Sequence, residues 1–479
     1  MTSSTIDTFD YIIIGAGSAG CVLANRLSEN ASHRVLVLEA GSSDWNPLIR
    51  LPIGEVFTVG GANDWKFSSG PEPNLDGAHV KQPRGKVLGG SSSINGQLYV
   101  RGHARDYDEW SQLGNTGWSY EDVLPYFKRA ECWRGGEDGY RGVHGPLQTA
   151  LGRYRNPLYE AFIESGLALG YPFNEDYNGT EQEGFGWCQY THTHRFPLRC
   201  SAATAYLHPA KRRSNLTIRT KALVTSLMIE GTQCRGVSYQ WRGRRRQAYC
   251  AKETLLCAGA YQSPQLLMLS GIGSPQVLRT NGIALKHALP GVGENLQDHF
   301  GSLVQHECTQ PVTFFNLRNP LKLTGAAVEL LLKRRGPLSV FPMNVQAFIR
   351  SDPALERPDL QFLLFPVALD TESESLYIPK YHGYSIHWAI LRPRSRGRVT
   401  LRSANPSDPP FIVHNYLADD WDRALNRFAL RKARELHAGR AFQPFRGAER
   451  QPGSHCVSDA QIDDYTARLS APHYHPSGT

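Results

Sequence analysis

The chain has 479 residues, 41% of them apolar and 20% charged, a balance that supplies enough burial to offset chain entropy and excludes global disorder. At roughly 150 residues per domain the length implies two or three folding units. The net charge of +8 has its densest run at Arg242, Arg244, Arg245 and Arg246, between strand-like residues 237–241 and 248–251 with Gly243 available for the turn, which predicts a solvated hairpin and no nucleic-acid partner.

Residues 1–10 are polar, with neither a basic start nor an apolar run, and no stretch reaches the ~18 apolar residues of a membrane span. The expectation is a cytoplasmic protein with no integral membrane segment. Nine cysteines, odd in number, widely spaced and without a CxxC pair, point to reduced and mostly buried thiols and away from zinc or iron-sulfur sites.

Tyr11, Ile12, Ile13 and Ile14 read as a short buried strand that runs into Gly15-Ala16-Gly17-Ser18-Ala19-Gly20, a GxGxxG turn. Ala19, Val22, Leu23 and Leu27 then recur at helical spacing, and residues 35–38 read as a second buried parallel strand. In such a βαβ unit Gly15 permits the tight turn, Gly17 lets a pyrophosphate reach the backbone, and Gly20 lets helix and strand pack closely. The helix start offers free N–H groups and partial positive charge to phosphates. Glu39 ends the second strand, where its carboxylate can accept hydrogen bonds from both ribose hydroxyls and disfavours a 2′-phosphate, hence NADP. The unit predicts a dinucleotide site and leaves NAD and FAD open.

Residues 83–101 mix glycines with small hydroxylated side chains, which allows close backbone approach to a planar ligand. His192 and His194 alternate along one segment; without a nearby carboxylate or cysteine pair they read as surface histidines of an edge strand and not as metal ligands. Residues 254–257 read as a strand followed by a helix, with Ser263 and Pro264 as an N-cap and N1 pair and Gly271 as the stop.

Residues 83–101 and 259–275, with the N-terminal fingerprint, closely resemble the signatures of the glucose-methanol-choline (GMC) oxidoreductases, in particular their choline-dehydrogenase-like branch. Residues 289–299, 392–401 and 474–479 match further phrases, and the resemblance extends over essentially the whole chain. It implies an α/β fold: a discontinuous Rossmann-like FAD-binding domain over 1–155 and 200–300, plus an α+β substrate-binding domain with a mixed or antiparallel sheet over 156–199 and 301–479.

By the same resemblance the cofactor is FAD. Gly15, Ala16, Gly17, Ser18, Ala19, Gly20 and Glu39 would hold its ADP half, and Val224 would offer backbone groups to adenine. Arg84, Val87, Gly89, Gly90, Asn95 and Gly96 would pass beside the flavin, with Tyr474 near it and Ala258 and Gly259 near the ribityl or pyrophosphate portion. Ile94 stands where some relatives attach FAD covalently through a histidine, so the flavin is expected to be non-covalent. His475 matches the family's first catalytic histidine and would be the base that takes the hydroxyl proton of a small alcohol as hydride leaves for flavin N5. The electron acceptor would be oxygen or a quinone.

Two departures stand out. Residues 196–198 replace a usual glycine-bearing turn. Family members also continue past the equivalent of Thr479 with a strand, a flavin-contacting helix and a second catalytic His or Asn. The expectation is therefore uncovered apolar surface, a His475 close to a frayed end, and weak or absent activity. The alternatives are a truncated, inactive flavoprotein and a non-redox relative such as a hydroxynitrile lyase.

Overall fold

The computed structural model describes residues 7–369 and 380–479. Two six-stranded sheets organise it. The first has the strand order Ala222–Glu230, Gln233–Trp241, Arg244–Leu256, Thr8–Ile14, Val35–Leu38, Leu216–Arg219. Thr8–Ile14 is its centre, paired in parallel with Val35–Leu38 on one side and Arg244–Leu256 on the other, so that Ile14 lies level with both Leu38 and Leu256.

The period-2 alternation of a strand separates two cores. Ile13, Val35 and Val37 pack with Cys21 and Ala24 of the helix Ser18–Leu27. Ile12, Ile14, Leu36 and Leu38 pack on the opposite face with Val224, Tyr239 and Leu266. Both faces are covered, which is why these short strands carry unbroken apolar runs. The antiparallel pair 233–241 and 244–256 turns through Arg242 and Gly243, both at positive φ, the twist that two-residue hairpins favour. Arg244, Arg245 and Arg246 are exposed on it, the solvated hairpin expected from composition.

The second sheet is antiparallel throughout, with the order Arg446–Gln451, Leu303–Cys308, Gly383–Ile390, Leu360–Phe365, Val345–Ile349, Gly184–Trp187. Helices Pro157–Ala168 and Asp420–Ala438 close its core around Phe162, Phe185, Phe362, Trp388 and Leu430. All nine cysteines are unpaired thiols.

Three sequence expectations are corrected. The helix after the strand ending at Leu256 is Gly259–Leu269, with Ala258 as its N-cap, so Ser263 and Pro264 lie inside it. Pro264 has no N–H to give the Ala260 carbonyl, and the Thr479 hydroxyl donates to that carbonyl at 2.6 Å instead. His192 is buried, not on the surface, with its ring stacked on Tyr190 at 4.7 Å. Finally, the end of the chain is tied down. Ala471–Pro472 pairs with Phe300–Gly301, Gln297 and Ser477 exchange both backbone hydrogen bonds at 2.9 Å, and Thr479 caps Ala260.

One buried ionic hub fixes the far end of the glycine-rich segment. Glu131, fully buried, accepts from Arg101 at 2.7 Å, Thr149 at 2.7 Å and the Arg141 Nε at 3.0 Å. Removing one partner of such a group strands buried guanidinium charge, at a cost of about 3–5 kcal/mol. Glu131→Gln is therefore expected to lower unfolding stability by that order in urea titration, and a loss below about 1 kcal/mol would show that the hub is not holding this region.

Candidate active site

The site is assembled on the turn after Ile14. A Cβ on Gly20 would stand 1.9 Å from the Gly15 carbonyl oxygen, and one on Gly15, whose φ is +94°, would stand 2.6 Å from the Cys257 carbonyl oxygen. Only glycine allows the first helix and the strand ending at Leu256 to close on the turn in this way. A Cβ on Gly17, by contrast, meets nothing within 4 Å. Gly17 caps the helix Ser18–Leu27 without a side-chain hydrogen bond, and Ser18 and Ala19 are exposed, so the first amides of that helix remain available to an anion.

The glycine-rich segment docks onto the same turn. The Gly89 N–H donates to the Ala16 carbonyl at 2.7 Å, Leu88 donates to Ser42 at 2.9 Å, and a Cβ on Gly90 would lie 2.7 Å from the Gly17 Cα. Val87 is fully buried, its side chain in a small core with Ile49 and Ile94. Asn95 is exposed and accepts from Arg199 at 2.7 Å; a Cβ on Gly96 would come within 3.1 Å of Glu55 Oε2. Ala258 and Gly259 follow directly behind Gly15, with open space around the Gly259 Cβ position. Val224 lies further off, in the strand Ala222–Glu230 opposite Tyr239.

Glu39 is 6% exposed, and its two carboxylate oxygens accept from the Ala16 and Gly41 N–H groups at 2.8 Å each. Burial pushes its pKa up to about 7 despite those two hydrogen bonds and the charge of Lys86. Each oxygen keeps a second lone pair for a further donor.

The C-terminal strand brings a histidine pair to this cradle. The His475 N–H donates to Asp298 at 2.6 Å, and its Nδ1 lies 3.1 Å from the Nδ1 of His299. His473 donates its backbone N–H to the His299 carbonyl and sets its Nε2 3.1 Å from the Trp388 carbonyl. Asp298 is buried and also accepts from Tyr416 at 3.0 Å. His475 keeps solvent access but protein mass surrounds it on most sides. That loss of water, then His299, His473 and Arg84, hold its pKa well below the ordinary histidine value. Burial brings His299 and His473 down to about 4.

Two details show that the pocket is shaped for a polar group it does not itself supply. The buried Nε and Nη2 of Arg84 have no hydrogen-bond partner, while its guanidinium sits 5.2 Å over the Tyr261 ring. Buried donors of this kind are expensive unless something accepts from them. Together with the open face at Gly17 and Gly259, they fit a large cofactor with acceptor oxygens and a ring system.

The sequence reading assigned no role to Asp298, His299 and His473. The first two end the 289–299 phrase, but their relevance depends on a strand pairing 170 residues away in sequence, which no local pattern encodes.

Comparison with known proteins agrees with this geometry. The GMC oxidoreductase family matches twice, over residues 9–301 and 393–479. The oxygen-dependent choline dehydrogenase of Brucella suis is 44% identical over 472 residues, covering 98% of this chain and 85% of the relative. That of Photobacterium profundum is 43% identical over 475 residues, covering 98% and 83%. Among solved structures, pyridoxine 4-oxidase from Mesorbium loti superposes with a TM-score of 0.89 at 32% identity, covering 98% of this chain and 88% of that one. Formate oxidase from Aspergillus oryzae RIB40 gives 0.91 at 25% identity, covering 99% and 89%.

The open face at Gly17 generates a test. Gly17→Ala, at φ −75°, is expected to leave the unfolding of the flavin-free protein within about 0.5 kcal/mol of wild type while weakening FAD binding by about tenfold or more. Unchanged affinity in a fluorescence titration would place the pyrophosphate elsewhere.

Proposed function

The chain belongs to the GMC oxidoreductase family and is an FAD-dependent enzyme that oxidises an alcohol with a non-covalent flavin, and on that premise we propose that His475 is its catalytic base. The supporting observation is the pairing of His475 with His299 at 3.1 Å, on a segment that Thr479 joins to Ala260 beside Gly259. We further propose that residues 1–155 and 200–300 form the cofactor-binding unit and 156–199 with 301–479 the substrate-binding unit, an assignment supported by the two separate sheets.

Gly15, Ala16, Gly17, Ser18, Ala19 and Gly20 would receive the pyrophosphate, with Glu39 accepting from the adenosine ribose and Val224 beside adenine. Arg84, Val87, Gly89, Gly90, Asn95, Gly96, Ala258, Gly259 and Tyr474 would line the remainder. When bound there, FAD supplies the hydride acceptor.

The side chains set the proton chemistry. The two facing Nδ1 atoms of His299 and His475, 3.1 Å apart, share one proton, so one ring carries its proton on Nε2 instead, and we place that proton on His299. The other nitrogen, Nδ1, is then an acceptor for His475 Nδ1–H, which leaves His475 Nε2 unprotonated and able to take the hydroxyl proton of the substrate. Asp298 holds the His475 backbone in place. The substrate is a small-molecule alcohol. Its identity as choline, an aliphatic or an aryl alcohol is set by side chains outside these motifs, and the electron acceptor is oxygen or a quinone.

A histidine whose pKa is depressed stays deprotonated as pH falls, so kcat/KM is expected to hold through pH 6 and to drop only well below the ordinary value of 6.5. His475→Ala should reduce kcat by about 10²–10⁴-fold while retaining flavin. An acid limb at or above 6.5, or an active His475→Ala enzyme, would remove His475 from the role.

Ribose donors favour the ionised form of Glu39, and burial sets its pKa at about 7 before they arrive. FAD affinity is therefore expected to fall as pH drops below about 7, by up to about tenfold per pH unit. Glu39→Gln should weaken binding at alkaline pH and flatten this dependence. A wild-type affinity independent of pH between 5 and 8 would argue that Glu39 does not meet the ribose.

A further inference from the structure

The helix Pro320–Lys333 presents its apolar side chains to water. Ala326 and Leu330 are its buried residues, whereas Leu321, Val328, Leu331 and Leu332 are 83%, 47%, 66% and 76% exposed. Leu321, Val328 and Leu332 follow one another at seven and four residues and so share one stripe, bordered by Leu331 and turned away from the buried pair. A helix covering a core turns such a stripe inward; this one covers the protein with its other side.

The C-terminal end of the same helix opens on a basic hollow of about 770 Å³. Lys333 and Arg334 line it together with Arg134, Arg153, Arg155 and Arg195, and so does Arg335; no acidic residue contributes to its wall. Arg335 meets Glu329 at 3.1 Å, but among the described residues none of the other six has a carboxylate in ion-pair range. Arg134 and Arg153 donate to the His194 carbonyl, Arg334 donates to the Arg195 carbonyl, and Arg155 lies 3.7 Å over Trp187. These contacts orient the guanidinium groups without neutralising them. Arg134 and Arg334 add to the burial that lowers the pKa of Arg153.

Mutually repelling cations around one hollow are stabilised by an anion, and the exposed leucines of the helix whose last residue, Lys333, lines that hollow are stabilised by leaving water. A dissolved oligoanion satisfies only the first condition. An anionic lipid surface satisfies both, because interfacial helices combine Lys and Arg with a leucine stripe that reaches the acyl boundary. No helix among the described residues is long and apolar enough to cross a membrane, so attachment through this face would be peripheral.

We propose that this face docks on an anionic lipid bilayer, with phosphate headgroups in the basic hollow and Leu321, Val328, Leu331 and Leu332 entering the acyl boundary.

The test is flotation of the flavin-loaded protein with vesicles of phosphatidylcholine alone and of phosphatidylcholine with phosphatidylglycerol, at low and high salt. Wild type is expected to partition to the anionic vesicles and to be released by salt. Arg195→Glu with Lys333→Glu, and separately Leu331→Ser with Leu332→Ser, should each cut partition by about tenfold or more, while Arg245→Glu with Arg246→Glu on the distant hairpin should not. Flavin absorbance and sedimentation verify that each variant is folded. Four outcomes overturn the proposal: no partition at low salt, equal loss in the hairpin variant, tight binding of inorganic pyrophosphate in the hollow with no vesicle binding, or a leucine pair whose substitution changes only self-association.

Discussion

Backbone meets backbone at the turn after Ile14, and the rest of the site depends on how closely it does so. Gly20 brings the first helix onto the Gly15 carbonyl, and Gly15 itself lies against Cys257 and Ala258. Gly90 carries the 85–96 segment onto Gly17. Three stretches of chain far apart in sequence thus converge within van der Waals distance, and a methyl group at Gly15, Gly20 or Gly90 would separate them. Gly17 and Gly259 differ from these three, because their missing side chains leave space and not contact. The packing glycines build the walls, and the open ones leave room for what the walls enclose.

The catalytic edge of the cradle comes from the other end of the chain. The strand pair 300–301 and 471–472 sets the register that places His475 over Asp298 and beside His299. The final residue contributes as well, since Thr479 satisfies a carbonyl that Pro264 leaves without its helical partner. The helix behind Gly15 and the strand carrying His475 are therefore joined directly, and changes in one are felt by the other. Burial lowers the pKa of His299 and His473 to about 4, and the surroundings of His475, with the charges of His299, His473 and Arg84, lower its pKa too, which favours the neutral ring that a proton acceptor requires.

How much of this could be read beforehand follows from the range of each interaction. The βαβ unit was legible because strand, glycines, helix and Glu39 encode their roles within forty residues, and the solvated arginine hairpin was legible for the same reason. Ser263 and Pro264 misled because an N-cap signal is local, while the actual start at Gly259 is set by the chain closing on Gly15 and the proline's cost is met by Thr479. His192 was misjudged because its burial and its stacking on Tyr190 depend on residues distant in sequence: Tyr190 packs against Val340 and hydrogen-bonds the Met343 carbonyl. His299 carried no local signal of its role, which arises only when residues 297–301 meet 471–477. The basic hollow was hidden too, because its seven cations come from four separate segments.

The central claim, that this glycine-built cradle grips the ADP half of FAD and aims its ring toward His475, is tested most directly by a crystal structure of the FAD-loaded protein. The account predicts pyrophosphate oxygens within hydrogen-bond distance of the amides that follow Gly17, the ribose on Glu39, and the isoalloxazine between the 85–96 segment and His475. A pyrophosphate bound away from those amides, or a ring with His475 on neither of its faces, would contradict it.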